Sequence, residues 1–355
     1  MNLKRREFLA KTTVTALAAG IFPVWAVPEP PKRSKMGIVT YSFGIHQKAT
    51  KGARTGLDYN DPIGFLEACH QLGAGGIQFP FGLKDESYLA GLRQKSGQYE
   101  MHVEAILNLP KSSAETDRFE QELLCAKQCG ATIARTTMLP GRRYEQFNTL
   151  ADYQRACEQG LSSLRLAEKV AARHKFRLAV ENHKDHLVAE KLELLKQISS
   201  EYVGLCVDVI NNFALLEDPL ETARAFAPYA MTVHIKDGSI CESGDGFWLS
   251  DEALGAGFLD LPAIVGILRQ AKPDARFNLE VITRDPLKVP VRTEEYWATF
   301  PNRPRSAMDP ALKLAKEKGS AKQIRVSGLA QAQQLELERR NVEQSLNYAR
   351  EHLGL

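Results

Sequence analysis

The sequence predicts an α/β fold, a (β/α)8 TIM barrel with an extended connection between its eighth strand and its last helix and an N-terminal signal segment ahead of it. Three observations carry this. From residue 36 onward, short β-branched apolar runs alternate with amphipathic stretches at the spacing of βα units. Eight such units follow one another, the number that closes a parallel sheet on itself. Four of the later runs, RLAVE, GLCVD, MTVHIKD and FNLEV, end on or near a carboxylate or imidazole. A chargeable group at the C-terminal end of a buried strand lies where α/β folds place their sites.

The elements follow in order. Residues 37–41 read as a first strand. After a polar loop, Asp61-Pro62 starts a helix that runs to about Leu72, with Asp as N-cap and Pro at the first position. Residues 76–79 are a second strand and 86–96 its helix; 99–107 and 114–129 are the third pair. The fourth strand covers 131–139 and precedes a long amphipathic helix over 152–174. Strands at 177–181, 203–209, 231–236 and 277–282 then alternate with helices near 190–198, 220–226 and 262–270. Val342, Leu346, Ala349 and Leu353 recur at helical spacing, so the last helix closes the barrel. Residues 36–355 therefore form one barrel domain, with 283–328 an insertion before its final helix. βα connections lie on the catalytic face. The insertion, with Arg284, Arg292, Tyr296, Trp297, Arg303 and Arg305, is expected to be a lid or pocket wall, or else a contact in a homo-oligomer.

The chain of 355 residues is 44% hydrophobic and 25% charged, ordinary for a globular protein with a large core. Its net charge of +3 arises in residues 1–26, and the remainder carries 42 charges of each sign. A neutral body gives no electrostatic case for nucleic acid. Arg5-Arg6-Glu7-Phe8-Leu9, an apolar stretch and Ala26 make residues 1–26 a twin-arginine signal peptide, with 27–35 a proline- and charge-rich linker. The apolar stretch is shorter than the ~20 residues a membrane span requires. The expectation is export by the twin-arginine machinery to a periplasmic or other extracytoplasmic site. The six cysteines form no CxxC pair and are expected as thiols rather than disulfides or a zinc site.

Glu181, Asp208, His234 and Glu280 are spaced by about one βα unit each, the last interval enlarged by a loop at 239–260. One acidic strand terminus is usually a satisfied structural carboxylate, but four converging termini look like the shell of one divalent metal. Hard oxygen ligands with one nitrogen suit Mn²⁺ first, and also Mg²⁺, Co²⁺ or Fe²⁺, with Zn²⁺ compatible.

GLCVD, VHIKDG, the later LGAG-x-x-D at Leu254–Asp260 and the glutamates ending the fifth and eighth strands resemble the xylose isomerase-like superfamily of barrels, the sugar phosphate isomerase/epimerase family. The resemblance covers roughly residues 36–282 and the last helix. It implies that the four positions bind one metal, and that Glu181 and Glu280 also move protons on opposite faces of a carbohydrate substrate. The chemistry agrees, because two carboxylates can remove and return an α-proton through an enediolate. Two departures stand out. Asn211 takes the place of a histidine that epimerase members often carry, and Gln78 ends the second strand where many relatives have glutamate.

Around the quartet, Glu104, His183, Asn211, Lys236, Asp237 and Arg284 are candidate substrate contacts, with Tyr41 and Asn182 flanking the mouth. His102, deeper on the third strand, fits a satisfied core histidine, and Gly255 and Gly257 fit turn glycines needing positive φ. The expected function is isomerisation or epimerisation of a keto or aldo carbohydrate or polyol derivative. A lyase acting on an oxo-sugar or oxo-sugar acid, by dehydration or decarboxylation, is the alternative because Asn211 cannot carry a proton. A non-catalytic exported sugar-binding protein is the third class.

Overall fold

The strands are Gly37–Val39 (β1), Gly76–Phe79 (β2), His102–Ile106 (β3), Ile133–Thr136 (β4), Arg177–Glu181 (β5), Val203–Asp208 (β6), Ala230–Ile235 (β7), Asp237–Ser243 (β8), Gly246–Glu252 (β9), Arg276–Leu279 (β10) and Leu287–Val289 (β11). The computed structural model describes residues 33–52, 56–319 and 323–355; the expected signal segment and most of the expected linker lie outside them. Eight strands pair in parallel and close a barrel in the order β1-β10-β7-β6-β5-β4-β3-β2. Each is buried on both faces, which is why it reads as a near-continuous apolar run. At the base, a Cβ on Gly76 would run into the His102 ring, so glycine there makes room for a buried histidine.

The surrounding helices start where their capping residues predict. Asp61 accepts from the backbone N–H of Ile63 and Gly64, both at 3.0 Å, at the head of Pro62–Gln71. Thr149, Asp218 and Asp260 cap Leu150–His174, Pro219–Phe226 and Leu261–Ala271 in the same manner. Their apolar faces, among them Phe65, Leu164, Val170, Phe226, Ile264 and Leu268, join the strands in one core. The final helix, Gln331–Tyr348, buries Val342 and Leu346 and continues through Ala349–Leu353, closing the ring as expected. All six cysteines are free thiols.

The stretch expected as a loop at 239–260 is largely a hairpin. β8 and β9 pair antiparallel, and β11, from the 283–328 insertion, adds to β9 with Leu287 opposite Leu249. This three-stranded sheet packs with the rest of the insertion around a second apolar core containing Ile240, Phe247, Leu249, Val289, Trp297 and Phe300. The insertion's polar groups pin it in place. Trp297 Nε1 donates to Val291 O at 2.7 Å, Tyr296 Oη to Ala214 O at 2.9 Å, and Arg303 to Leu216 O at 2.7 Å. Arg292 binds Glu242 at 2.6 Å, and Arg305 pairs with Glu294. These residues staple a wall; their side chains are committed to it.

Candidate metal centre

Four side chains meet at the C-terminal mouth of the barrel. Glu181 ends β5, Asp208 ends β6, His234 lies on β7 opposite Asp208, and Glu280 follows β10. Each offers one ligand atom, and these atoms lie within 4.8 Å of one another with all four residues buried. His234 Nδ1 is 3.7 Å from Glu181 Oε2 and 3.4 Å from Glu280 Oε2. Nδ1 of His234 is buried without a hydrogen-bond partner, whereas the buried Oδ2 of Asp208 faces the Lys236 ammonium. Buried polar atoms are normally satisfied, so an unpartnered imidazole nitrogen facing the carboxylates of Glu181 and Glu280 marks a place that would take a cation. The quartet fits a single divalent ion in donor type and in spacing.

The imidazole is oriented from below. Gln78 Nε2 donates to Glu104 Oε2 at 3.0 Å, which turns Gln78 Oε1 toward His234 Nε2, 2.8 Å away. A hydrogen therefore sits on Nε2, and Nδ1 is the nitrogen that faces the carboxylates. Glu104 Oε2 also accepts from Thr232 Oγ1 at 2.8 Å and Asn278 Nδ2 at 3.0 Å, and Asn278 Oδ1 meets His102 Nε2 at 3.2 Å. Glu104 is thus the hub of a buried layer beneath the site, not a substrate contact at the mouth. His102 is the satisfied core histidine expected.

Three cations compensate the carboxylates. Arg135, on β4, pairs with Glu181. Lys236 lies 3.0 Å from Asp208 Oδ2 and 2.5 Å from Glu280 Oε2. Lys184 donates to Asn211 Oδ1, and Asn211 Nδ2 donates to Glu181 Oε1 at 3.1 Å. Burial alone would raise the Glu181 carboxyl, but Arg135 and His234 outweigh it and hold it low. Burial would likewise raise Glu280, but Lys236 and His234 hold it well below the usual carboxylate range. Burial works to lower Lys236, and Asp208 and Glu280 override it upward. Burial would lower the His234 imidazole, but Cys206, Glu280 and Glu181 hold it well above its ordinary value, and the two carboxylates among them would attract a metal cation as well.

The remaining candidates divide. His183 is pushed down by burial and keeps a buried, unpartnered Nδ1 near Glu181. Arg284 is drawn to Asp251 Oδ2 at 3.0 Å on the wall of a cavity of about 420 Å³. Tyr41 covers Arg135, its ring centroid 5.7 Å from the guanidinium carbon. Asp237 is a structural residue rather than a substrate contact, because it accepts from the backbone N–H of Gly238, Gly255, Gly257 and Leu259 at 2.9–3.2 Å. That shell works against burial, which raises the Asp237 carboxyl. Gly255 has the positive φ expected, +85°, but Gly257 does not; glycine is required there because a Cβ would collide with Asp237. Asn182 is also structural, strapping β5 to β6 through Asp208 O at 2.9 Å and Asp208 N at 2.8 Å. Arg135, the role of Gln78, and Lys184 are not legible as site features in the sequence. Arg135 carries the right signal, a charge inside an apolar strand, but a cation is invisible to a search for metal ligands.

A closed parallel barrel with a buried acid–imidazole quartet at its mouth is the frame of a barrel enzyme. Residues 66–300 match the family described as xylose isomerase-like TIM barrel, and the chain belongs to that family. A 3-oxo-isoapionate decarboxylase of Pectobacterium atrosepticum is 25% identical over 236 residues, 66% of this chain and 80% of that protein. Among solved structures, a D-psicose 3-epimerase in the presence of D-fructose superposes with a TM-score of 0.56 at 14% identity, covering 90% of this chain and 99% of its own. An L-ribulose 3-epimerase gives 0.53 at 14% identity, covering 90% and 96%. At these identities the structural likeness is one of fold.

Proposed function

We propose that this chain is a divalent-cation-dependent enzyme that acts on an oxo-carbohydrate derivative through an enolate, and that loss of CO₂ from an oxo-sugar acid is its reaction. The observation that carries the choice is the pairing of both candidate bases with cations, Glu181 with Arg135 and Glu280 with Lys236. Epimerisation needs a carboxylate free to take a proton from carbon and another to return it. Each carboxylate here already pairs with a cation that holds it in place, which favours a reaction that draws no proton from carbon. Decarboxylation asks for no proton from carbon. The C–C bond to the carboxylate breaks, its electron pair passes into the neighbouring carbonyl, CO₂ departs, and the enolate carbon then takes up a proton from solvent water. A divalent cation held by Glu181, Asp208, His234 and Glu280 would supply Lewis-acid polarisation of that carbonyl. Lys236 adds a hydrogen-bond donor beside the developing oxyanion, and Asn211 orients Glu181. The decarboxylase relative supports the same reading.

Isomerisation or epimerisation is the second reading, favoured by the presence of two glutamates, Glu181 and Glu280, in the quartet and by the epimerase folds. The cation-loaded protein, incubated in D₂O with a panel of ketoses, aldoses and oxo-sugar acids, separates the two. CO₂ release from an oxo-sugar acid, with one deuteron appearing on the product carbon, supports the decarboxylase. Deuterium entering a ketose without loss of carbon assigns isomerase or epimerase chemistry, and neither event with any compound sinks the enolate proposal. We further propose that residues 1–26 direct twin-arginine export, on the Arg5-Arg6 pattern; cell fractionation of the native and Arg5→Lys/Arg6→Lys chains tests it.

A further inference from the structure

Five basic side chains are buried among the described residues, Arg135, Arg143, Lys184, Lys191 and Lys236. Four meet a carboxylate: Arg135 meets Glu181, Arg143 meets Glu190 at 2.7 Å, Lys191 meets Asp185 at 2.9 Å, and Lys236 meets Asp208 and Glu280. Lys184 has none. It is 5% exposed, and its Nζ donates to a neutral acceptor, Asn211 Oδ1. An ammonium removed from water with no carboxylate in direct contact is unfavourable, and folds avoid it unless the charge is put to use. Burial, followed by the nearby Lys236 ammonium, pushes Lys184 down to about 8. Its backbone is also left-handed at φ +60°, a conformation L residues adopt at a cost and that clusters at working sites.

Its position says what the charge faces. The Asn211 that accepts from Lys184 donates its side chain to Glu181 and its backbone N–H to Asp208 Oδ1 at 2.9 Å. Lys184 is therefore one side chain away from two members of the quartet. Around the mouth the carboxylates of Glu181, Asp208 and Glu280 are balanced by Arg135, Lys184 and Lys236. A divalent cation adds two positive charges to a site that is already neutral, and a buried excess of that sign calls for an anion.

We propose that Lys184 anchors a carboxylate carried by the substrate, so that the substrate class is an acidic oxo-carbohydrate rather than a neutral sugar. One side chain of separation places that carboxylate beside the quartet. The inference rests on the reading of the quartet as a cation site for an oxo-carbohydrate, and not on which bond breaks. CO₂ is uncharged, so the contact is strongest in the ground state: its loss raises KM and does not lower kcat.

The test is calorimetric binding to the Mn²⁺-loaded full chain, with D-gluconate as the acidic probe, D-fructose as the neutral one and D-fructose 6-phosphate as the phosphorylated one. Gluconate is expected to bind about 30-fold or more tighter than fructose, the effect of pairing a buried charge. Lys184→Gln should erase that preference with metal content unchanged by mass spectrometry, and Lys184→Arg should retain most of it. Lys184→Met, which removes a charge with no directly paired carboxylate, should melt no lower than the native chain. Gluconate binding no tighter than fructose, or a preference that survives Lys184→Gln, overturns the anchor. Tighter binding of the phosphate than of gluconate overturns the carboxylate assignment. A lower melting temperature of Lys184→Met with the preference intact makes the lysine structural and overturns it too. Lys184-dependent gluconate binding without CO₂ release or deuterium exchange leaves the anchor standing and removes the proposed reaction instead.

Discussion

Replacing Gln78 by Met isolates the support beneath the metal centre. Gln78 is fully buried on β2, and Met has nearly its length and volume, so packing changes little. Two hydrogen bonds disappear, to His234 at 2.8 Å and to Glu104 at 3.0 Å. Glu104 keeps Thr232 and Asn278 as donors to the same oxygen. His234 loses its only acceptor at Nε2, which costs about 1–3 kcal/mol for a buried donor left unpaired. The ring is then free to adopt the other tautomer, which turns a protonated Nδ1 toward the carboxylates. Loss of such an outer partner weakens metal binding roughly 10–100-fold, which is about 1.4–2.7 kcal/mol. The two magnitudes agree, because both describe one hydrogen bond made in a dry site. Mn²⁺ affinity measured by competition with an indicator chelator near neutral pH should fall by that factor. Thr232→Val removes a donor from Glu104 without touching His234, and should leave the affinity within about 3-fold. Native affinity in Gln78→Met, or an equal loss in Thr232→Val, would show that the imidazole is not held from below.

Three further outcomes follow from the same geometry. Glu280→Gln, assayed at saturating cation, leaves Lys236 with Asp208 alone and separates the two readings: deuterium exchange into a ketose should fall about 10²–10⁴-fold, whereas CO₂ release, which draws no proton from carbon, should fall by less, and an equal loss in both contradicts the decarboxylase reading. Gly257→Ala drives a methyl group into the Asp237 carboxylate and its four-donor shell, so the urea midpoint should drop by the equivalent of about 1–3 kcal/mol, and an unchanged midpoint refutes the packing constraint. Glu280 and Asp185 are held well below the usual carboxylate range in the fold. At low pH the unfolded chain therefore binds protons first: their contribution is complete above about pH 4.3, the unfolded glutamate value, and is lost as pH falls below it toward the folded values. Metal-free protein titrated with urea from about pH 6 to pH 3 should lose stability over that interval. A flat profile would remove both groups from the stability balance.

Legibility varies with the kind of signal. β2 and β5 have the limits expected from their apolar runs, Gly76–Phe79 and Arg177–Glu181. β3 starts later than expected because Tyr99 and Glu100 finish the preceding helix, Glu100 in a left-handed turn at φ +51°. The quartet is legible because a chargeable residue at the end of a buried run must be paired or ligated to stay there. Glu104 shows what period-two alternation leaves out. It fixes the face of the strand, inward, but not the layer, which depends on how far neighbouring strands are staggered. The β8–β9 hairpin escapes a reading of the sequence although Ile240, Phe247 and Leu249 alternate with polar residues, because a polar stretch between two site residues reads first as a loop. Lys184 sits on a turn with no period to betray it, and its burial comes from residues distant in sequence.

The wall beside the mouth has its own apolar core, made jointly by two stretches far apart in the chain, β8–β9 and the segment that carries β11. Neither stretch buries its apolar face without the other. A transplant of substrate preference between barrels of this family would therefore have to move both as one cassette. Swapping the 283–328 segment alone would leave Phe247 and Leu249 facing water, while a paired exchange could remodel the entrance and leave the ligand-bearing strand ends where they are.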